Sequence, residues 1–463
     1  MLKVDDLISV SQDELVNFEK LKRKKFNGVS IDSRKIKKDE IFFAIKGERT
    51  DGHKYIEDIF KKGIQLAVVE RSWFKKNKSK FRKKIFLVVR DTTKALGEFA
   101  KIHKDNFAIP VLCIGGSNGK TTTKDLAAAV LSKKYNVLKT EGNFNNHIGL
   151  PLTLLRLDDT HEFCLLEAGT NHYNEIKYLC SIARPGFGLV TNIGREHLEF
   201  FKNIKGVAKA EFELYDYLKK RKDGILFFNL DDSYIKNYSG GINDEKKFSY
   251  SYKHNADVKG RFKGYSKNFE PGIEIRSGQK KFEARISTFG EHSVHNGLAA
   301  AAVGLYFNVS ERMIRDALKN FKNASTNRME VIKINGMTII NDTYNSNPES
   351  VKMGLETMMK FKTPGKKIAV LSDMLELGKS SKAEHSSIGK LAAKLNIKNL
   401  FTFGKESLNI FRNAKRIRNN FYFESKDDLI EMLRKNVSQK DIIYVKGSRG
   451  MRMEEVVKGI SEN

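Results

Sequence analysis

Residues 111–126 read VLCIGGSNGKTTTKDL, and this stretch decides the fold of the chain around it. The apolar run that starts at Val111 predicts a strand, the glycines after it predict a tight turn, and the residues from Lys120 onward predict a helix. This order is typical of a phosphate-binding loop, because backbone amides and a helix N-terminus attract phosphate oxygens. Lys120 would neutralise charge between the β and γ phosphates, and the Thr121 hydroxyl would hold Mg²⁺.

The loop is a shortened form of the eight-residue phosphate-loop pattern. Ile114 stands where that pattern has its first glycine, so that G-x-x-G-K-T remains. A glycine–lysine turn can be purely structural, but the flanking strand and helix favour nucleotide binding. The predicted ATP-binding residues of the loop are Gly116, Ser117, Asn118, Gly119, Lys120, Thr121 and Thr122.

Strand and helix signals alternate along the chain on both sides of this loop, which indicates an α/β protein. The predicted central strands are Val111–Gly115, 136–140, 163–168, 188–193 and 224–229, before a β-rich stretch at 255–290 and a helix at 295–307. After Asn327 the predicted strands are Lys367–Ser372, 399–404, 420–424 and 441–446. We predict three domains: a small α/β domain (1–105), a phosphate-loop ATPase domain with a mainly parallel sheet (106–326) and a Rossmann-like α/β domain (327–463).

The composition is that of a basic globular protein. A net charge of +28 over 463 residues invites a nucleic-acid interpretation. The lysines, however, are spread along the whole length, and no recognition-helix or RNA-binding signature accompanies them. A lysine-rich surface that also suits an anionic substrate is the simpler interpretation, and we expect no nucleic-acid partner.

The chain is expected to work in the cytoplasm. Cys113, Cys164 and Cys180 each lie in an apolar run, which is typical of buried thiols in a reducing compartment rather than of a disulfide. The N-terminal MLKVDDLISV lacks the pattern of a signal peptide, and the apolar helical stretch 297–307 is too short to span a bilayer. We therefore expect no stable membrane insertion.

Further motifs surround the loop in a fixed order. They are GVSIDSRKIKKDEIFFAIKGERTDGHKYI (28–56), GNFNNHIGLPLTLL (142–155), LLEAGTNHYNEI (165–176), LVTNIGREHLEFF (189–201), GEHSVHNGLAAAA (290–302), NRMEV (327–331), NDTYNSNPES (341–350), LSDMLELG (371–378) and KGSRGMRMEEVV (446–457). Together with GGSNGKTTTKDL they resemble the Mur ligases, the ATP-dependent amino-acid-adding enzymes of peptidoglycan synthesis. The resemblance spans more than 400 residues.

Within that family, NNxIGxP, YNxNPxS and DMLELG are similar to the members that add D-alanyl-D-alanine. The resemblance implies an ATP-dependent amide-bond ligase that adds D-Ala-D-Ala to UDP-MurNAc-tripeptide through an acyl phosphate. It also implies ATP and two Mg²⁺ ions as cofactors, a UDP-binding role for residues 1–105, and a monomer. Two alternatives stay open: a Mur-type ligase that adds another amino acid, and a basic nucleic-acid-binding phosphate-loop ATPase.

Four residues are expected to carry the chemistry: Lys120, Glu167, His197 and Glu211. Glu167 ends an apolar strand, where α/β proteins bind their ligands, and it is either a metal ligand or a lone surface acid. His197 in NIGREH matches the metal position of the family, and the alternative is a core histidine. Thr121, Glu167, His197 and Glu211 form the expected metal set.

The resemblance also implies binding roles. Asn296 would face adenine, Arg328 the ribose or phosphates, and the segment with Asp342, Tyr344 and Asn345 the triphosphate; capping or surface roles are the alternatives for the first two. The implied substrate-binding residues are Ser33 and Arg34 for UDP, Asn145 and Asn146 for the UDP-sugar peptide, and Lys446, Ser448 and Arg449 for peptide carboxylates. The alternative role is a surface salt bridge for the UDP pair, a turn for the asparagine pair, and a solvated basic turn for the last three residues.

Glu211 is a departure from the family pattern. The helix after NIGxxH usually carries a lysine that CO₂ converts to a carbamate, and this carboxylate helps to hold the second Mg²⁺. Glu211 stands at that position here, and Lys209 points elsewhere because two helical residues turn by about 200°. We hypothesise that Glu211 supplies the carboxylate permanently, although it is shorter than a carbamate by roughly 3–4 Å. The alternative is a helix-surface glutamate.

Overall fold

A computed structural model describes residues 1–10, 14–21, 24–47, 50–266, 270–322 and 327–462. The first part of the chain contains a small antiparallel pair, β1 with β3, and a five-stranded sheet in the order β2-β7-β6-β5-β4, in which only β2 is antiparallel. The elements are β1 (Leu2–Lys3), α1 (Val4–Ile8), β2 (Glu14–Val16), β3 (Lys25–Phe26), β4 (Gly28–Ser30), β5 (Glu40–Phe43), α2 (Ile56–Lys61), β6 (Leu66–Glu70), α3 (Arg71–Asn77), β7 (Ile85–Val89) and α4 (Thr92–Asp105).

The second part forms a nine-stranded sheet in the order β16-β15-β14-β13-β12-β11-β8-β10-β9. Its elements are β8 (Val111–Gly115), α5 (Lys120–Leu131), β9 (Val137–Lys139), α6 (Gly149–Leu154), β10 (Phe163–Glu167), α7 (Glu175–Ala183), β11 (Phe187–Val190), α8 (Leu198–Phe201), α9 (Ile204–Glu211), α10 (Glu213–Lys219), β12 (Ile225–Asn229), α11 (Ser233–Ser239), β13 (Lys247–Ser251), β14 (Val258–Tyr265), β15 (Pro271–Ser277), β16 (Lys280–Arg285), α12 (Glu291–Tyr306) and α13 (Glu311–Lys319). Strands β8 to β14 are parallel, and β15 and β16 add an antiparallel edge.

The third part forms a six-stranded sheet in the order β17-β18-β22-β19-β20-β21, parallel except for β17. Its elements are β17 (Glu330–Ile334), β18 (Met337–Asp342), α14 (Pro348–Lys360), β19 (Lys367–Ser372), α15 (Ser381–Lys394), β20 (Asn399–Phe403), α16 (Leu408–Asn413), β21 (Asn419–Phe423), α17 (Lys426–Asn436), β22 (Ile442–Lys446) and α18 (Glu454–Ser461). Single 3-10 turns lie at Phe18–Leu21, Gly52–Tyr55, Lys78–Phe81, Asp244–Lys246, Gly378–Ser380 and Arg449–Met451.

Strand β8 shows why the central sheet forms. All of its residues are apolar or glycine and buried, as expected for a parallel strand with both faces covered. Val111 and Cys113 point into one hydrophobic core, and Leu112 and Ile114 point into the core on the opposite face. The strand is therefore held on both sides, and its carboxyl end delivers the glycine-rich loop to a fixed place.

Helix α12 packs closely on α5 and holds the helix that follows the loop. A Cβ atom at Gly304 would lie 2.4 Å from Val130 Cγ1, so that only glycine permits this approach. The alanine-rich stretch of α12 is almost wholly buried. The start of α5 is thus fixed by packing along its length.

The predicted α/β fold class with mainly parallel sheets is confirmed. Val111–Gly115 and Lys367–Ser372 have the predicted bounds, but β11 ends at Val190 instead of 193. Thr191 and Asn192 leave the sheet because they hydrogen-bond to the glycine-rich loop. The predicted domain limits stay predictions, and residue 326 lies outside the described residues.

The predicted buried thiols are confirmed: all three cysteines are free and buried. Burial raises the pKa of Cys113 to about 12. Within the described ranges, no helix is both long enough and apolar enough to cross a membrane.

Candidate active site

The glycine-rich loop has the backbone that its glycines allow. Gly116 and Gly119 have φ values of +114° and +81°, a region that side chains with a Cβ avoid. Helix α5 begins at Lys120, directly after Gly119, so that the first amides of the helix point toward the loop. Such a helix start offers N–H donors suited to phosphate.

The loop is held by the segment that follows β11. The Ser117 amide donates to Asn192 O at 2.9 Å, and Asn192 Oδ1 accepts from the Asn118 amide at 3.1 Å. The Thr191 hydroxyl donates to Asn118 O at 2.7 Å, and the Gly194 amide donates to Ser117 Oγ at 2.8 Å. These contacts fix the loop before a ligand arrives, which lowers the ordering cost of binding.

We expect Gly116→Ala to destabilise the protein by about 2 kcal/mol, because the new Cβ adopts an unfavourable φ and lies 2.2 Å from Thr191 Oγ1. Gly142→Ala is the control, since Gly142 also has a positive φ but its Cβ would meet no atom within 4 Å. Thermal unfolding of both variants measures the difference. Equal losses of Tm would show that the contact with Thr191 does not matter.

Lys120 lies among carboxylates. Its Nζ donates to the carbonyl oxygens of Gly116 and Ser117 and lies 3.7 Å from Glu196 Oε2. Burial works against its charge, but Glu196, Glu211 and Glu167 outweigh burial and raise the pKa of Lys120. Lys120 is therefore a firmly charged cation beside the loop.

Glu167 ends β10 and is buried, with 2% of its surface exposed, so the surface-acid alternative is wrong. Its Oε1 accepts from Thr121 Oγ1 at 3.2 Å and from Asn145 Nδ2 at 2.9 Å. Its Oε2 has no hydrogen-bond partner among the described residues, and the buried Lys124 Nζ lies 3.8 Å away. Thr121 and Glu167, predicted from separate motifs, thus lie side by side.

His197 lies where the second and third parts of the chain meet. Its Nδ1 lies 2.5 Å from Glu376 Oε2, and its Nε2 lies 3.9 Å from Glu196 Oε2. Burial works against protonation, but Glu376 and Glu196 outweigh it and raise the pKa of His197. His197 is therefore not a histidine enclosed in an apolar core.

Glu211, the last residue of α9, lies beneath the loop and is fully buried, so the helix-surface alternative is wrong. Its Oε2 accepts from the Gly116 amide at 2.6 Å, and its Oε1 has no hydrogen-bond partner within the described residues. Burial raises the pKa of Glu211 to about 7, although Lys120 lowers it. Lys209 extends over the ring of Tyr173, away from Glu211.

Asn296 and Arg328 both line the cavity beside the loop. Asn296 Oδ1 accepts from Thr123 Oγ1 at 3.2 Å, and its buried Nδ2 has no hydrogen-bond partner in the described part of the chain. The Arg328 guanidinium stacks on the ring of Tyr344, with 3.7 Å between its Cζ and the ring centre. An amide with an unused donor and a stacked guanidinium are suitable contacts for a base and a phosphate.

Lys446 is buried inside the third part of the chain. Its Nζ donates to Asp342 Oδ2 at 2.6 Å and to Asn345 O at 2.9 Å. Ser448 Oγ accepts from the Leu375 amide at 2.8 Å. Lys446 therefore holds the Asp342–Asn345 segment, and Ser448 holds the backbone at Leu375. A direct contact of either residue with a substrate carboxylate stays a prediction.

Four other predicted substrate residues have structural partners. Asn146 Oδ1 accepts from the amides of Ile148 and Gly149, which is the turn role. Arg34 is exposed and forms a salt bridge with Asp32 at 2.8 Å, and Ser33 O accepts from Lys62. Arg449 pairs with Glu454 at 3.1 Å. Their roles toward UDP and peptide stay predictions.

A cavity of about 1610 Å³ joins most of these residues. Among the residues that line it are Ser117, Asn118, Gly119, Lys120, Thr121, Thr122, Asn145, Asn146, Glu167, His197, Asn296, Arg328, Asp342, Tyr344, Asn345, Lys446, Ser448 and Arg449. Gly116, Glu211, Ser33 and Arg34 do not line it. The cavity also reaches Asp91, Thr93 and Lys94 near the start of α4.

Sequence reasoning missed four residues of this site. Glu196 precedes His197 in NIGREH, Lys124 follows the loop, and Glu376 lies in DMLELG. Asn347 caps α14 and donates from Nδ2 to Asn118 Oδ1 at 2.9 Å, which ties the third part of the chain to the loop. Each is a polar residue inside one of the motifs quoted above, and its place in a motif is the sequence signal that could have identified it.

The residues fit Mg²⁺ only together with phosphate. The described residues contain no group of three or more His, Cys, Asp or Glu side chains that could hold a metal. Mg²⁺, however, commonly takes one or two protein oxygens and completes its shell with phosphates and water. Thr121 Oγ1 and the unpartnered Oε2 of Glu167 are suitable oxygens for such a site.

The whole chain is similar to known ligases. Residues 25–104 match the Mur ligase family, catalytic domain; 114–304 match the Mur ligase middle domain; and 327–449 match the Mur ligase, glutamate ligase domain. The UDP-N-acetylmuramoyl-tripeptide–D-alanyl-D-alanine ligase of Bacillus subtilis (strain 168) is 34% identical over 450 residues, 94% of this chain and 93% of that protein. The Escherichia coli (strain K12) ligase of the same name is 31% identical over 94% of each chain.

Solved structures agree with this. A crystal structure of MurF from Acinetobacter baumannii has a TM-score of 0.87 and 27% identity, and covers 100% of this chain and 99% of its own. MurF ligase from Thermotoga maritima in complex with ADP has a TM-score of 0.79 and 25% identity, over 94% and 97% of the two chains. The chain belongs to the Mur ligase family.

Proposed function

We propose that this protein is the ATP-dependent ligase that joins D-Ala-D-Ala to UDP-MurNAc-tripeptide. The observation that carries the proposal is the cavity, in which a phosphate-loop cation, buried carboxylates and a segment of the third part of the chain meet. The likeness over the full length to ligases named for this reaction supports it. The proposal includes action as a monomer in the cytoplasm.

The reaction has two steps. A carboxylate oxygen of the tripeptide attacks the γ-phosphorus of ATP, so that ADP leaves and an acyl phosphate forms. The D-Ala-D-Ala amine then attacks the acyl carbon, loses a proton, and phosphate leaves with the C–O bond electrons. Charge builds on the phosphoryl group and on the tetrahedral carbon, and such reactions need fixed cations and donors more than covalent partners.

The residues of the chain would divide this work. Lys120 and the first amides of α5 would bind the β and γ phosphates, and Asn296 and Arg328 would orient the nucleoside. Thr121 and Glu167, with His197 and Glu211 as further candidates, would hold Mg²⁺, which supplies positive charge at the phosphate oxygens when bound. The segment with Asp342, Tyr344 and Asn345 would enclose the triphosphate.

The proposed substrate residues are divided between the cavity and the first part of the chain. Asn145 and Asn146 would contact the UDP-sugar peptide, and Lys446, Ser448 and Arg449 would serve the peptide carboxylates. Ser33 and Arg34 would meet the UDP moiety outside the cavity, on the first part of the chain. A cavity that extends to Asp91, Thr93 and Lys94 supports a long substrate laid across all three parts.

The test is ADP release and product mass with UDP-MurNAc-tripeptide and one amine at a time. We expect release to depend on D-Ala-D-Ala and a product heavier by that dipeptide less water. Dependence on L-lysine or diaminopimelate instead would indicate another Mur-type ligase. ATPase activity stimulated by DNA or RNA, weakened by salt and indifferent to the UDP-sugar would indicate the nucleic-acid alternative.

A further inference from the structure

The contact between His197 and Glu376 joins two parts of the chain. His197 follows β11 of the central sheet, whereas Glu376 follows β19 of the third sheet. His197 Nδ1 and Glu376 Oε2 lie 2.5 Å apart, and the Glu199 amide donates to Glu376 O at 3.1 Å. The His197 side chain and the Glu199 backbone, both from the central part of the chain, therefore contact Glu376 of the third part.

The backbone at this contact is unusual on both sides. His197 has a φ of +49° and Glu376 a φ of +62°, in the left-handed region that residues with a Cβ rarely adopt. Gly378 is also in this region, and a Cβ there would lie 3.0 Å from Glu199 Cα. Two strained residues that face each other across a junction point to a functional arrangement rather than to chance packing.

The geometry determines which nitrogen His197 offers. Nδ1 lies at ion-pair distance from the Glu376 carboxylate but has no aligned hydrogen-bond partner among the described residues, and Nε2 is left on the side of Glu196 and Lys120. Histidines that bind metals commonly donate their other ring N–H to a carboxylate, which fixes both ring orientation and tautomer. Glu376 has the place and the chemistry of such a carboxylate.

We propose that Glu376 is a positioning residue that orients His197 Nε2 toward the cation of the nucleotide site, and does so only when the third part of the chain is docked. The inference rests on the proposed function, since it takes His197 as a cation ligand. It adds a coupling between docking and cation binding. Substrate-driven closure would then complete the cation site at the moment the triphosphate is enclosed.

The experiment measures Mn²⁺ binding in the presence of ADP, from the electron paramagnetic resonance signal of free Mn²⁺. We expect Glu376→Ala to weaken Mn²⁺ binding by about 10-fold or more, and Glu376→Gln, which keeps an acceptor oxygen beside Nδ1 without the charge, to recover part of it. Glu384→Ala is the matched control, because Glu384 reaches Arg195 across the same junction at 3.6 Å and does not touch His197. Its Mn²⁺ affinity should equal that of the wild type.

A double-mutant cycle separates positioning from structure. If Glu376 acts through His197, Glu376→Ala should add no further loss in a His197→Ala background. Wild-type affinity in Glu376→Ala, additive losses in the double variant, or an equal loss in Glu384→Ala would overturn the inference. Absence of D-Ala-D-Ala-dependent ligation by the wild type would instead overturn the proposed function, and the binding data would still decide the role of Glu376.

Discussion

Lys120→Met is expected to lower kcat for ligation by about 10³-fold, the largest single effect in the site. The substitution keeps most of the side-chain volume but removes the charge. Lys120 is the cation of the loop itself, and Glu196, Glu211 and Glu167 hold it in the charged form. Without it, charge that develops on the transferring phosphoryl group loses its nearest fixed partner.

Lys139→Met is the control for this variant. Lys139 is also a lysine of the central part, paired with Asp125 at 2.6 Å, and it does not line the cavity. Rates of ADP release at saturating substrates, with nucleotide affinity from calorimetry, measure both variants. A Lys120→Met enzyme that keeps more than a tenth of the wild-type kcat would contradict the assigned role.

Much of the fold was predictable because the signals are local. Buried parallel strands such as β8 and β10 are unbroken apolar runs, and glycines mark the loop after β8. Strand β13 (KFSYS) was not predicted, because its apolar and polar residues alternate over only five positions. The β17–β18 hairpin turns at Asn335-Gly336 between two apolar runs, and this residue pair is the local signal for it.

The sequence predicts which residues belong to the site, but it does not predict which residues they contact. Lys120, Thr121 and Glu167 belong to motifs whose chemistry is readable from residue type and position. The partners of His197 and Lys446 were not readable, because Glu376 and Asp342 lie 179 and 104 residues away along the chain. Residues that pair across a junction leave no periodic signal in either segment. Only tertiary structure shows that Lys446, predicted to contact a peptide carboxylate, donates to Asp342 and Asn345.

Glu211→Gln is expected to lower kcat by about 10²-fold, because the amide keeps an acceptor for the Gly116 N–H but loses the carboxylate charge. Glu211→Ala should lose more, since it also leaves the buried Gly116 amide unpaired, at about 1–3 kcal/mol. ADP release in CO₂-depleted buffer, with and without added bicarbonate, measures both. The wild type should be indifferent to bicarbonate, and bicarbonate should rescue neither variant.

The two variants separate the two things that Glu211 can do. The structure shows one of them, the bond from Glu211 Oε2 to the loop amide, while Oε1 has no partner among the described residues. If the loop bond were its whole contribution, Glu211→Gln would be nearly as active as the wild type and only Glu211→Ala would fail. A charge-dependent loss in Glu211→Gln, with no response to bicarbonate, is the result that a built-in carboxylate requires. Full activity in Glu211→Gln would show that Glu211 only supports the loop. His197 and the phosphates would then be the ligands proposed for the second cation.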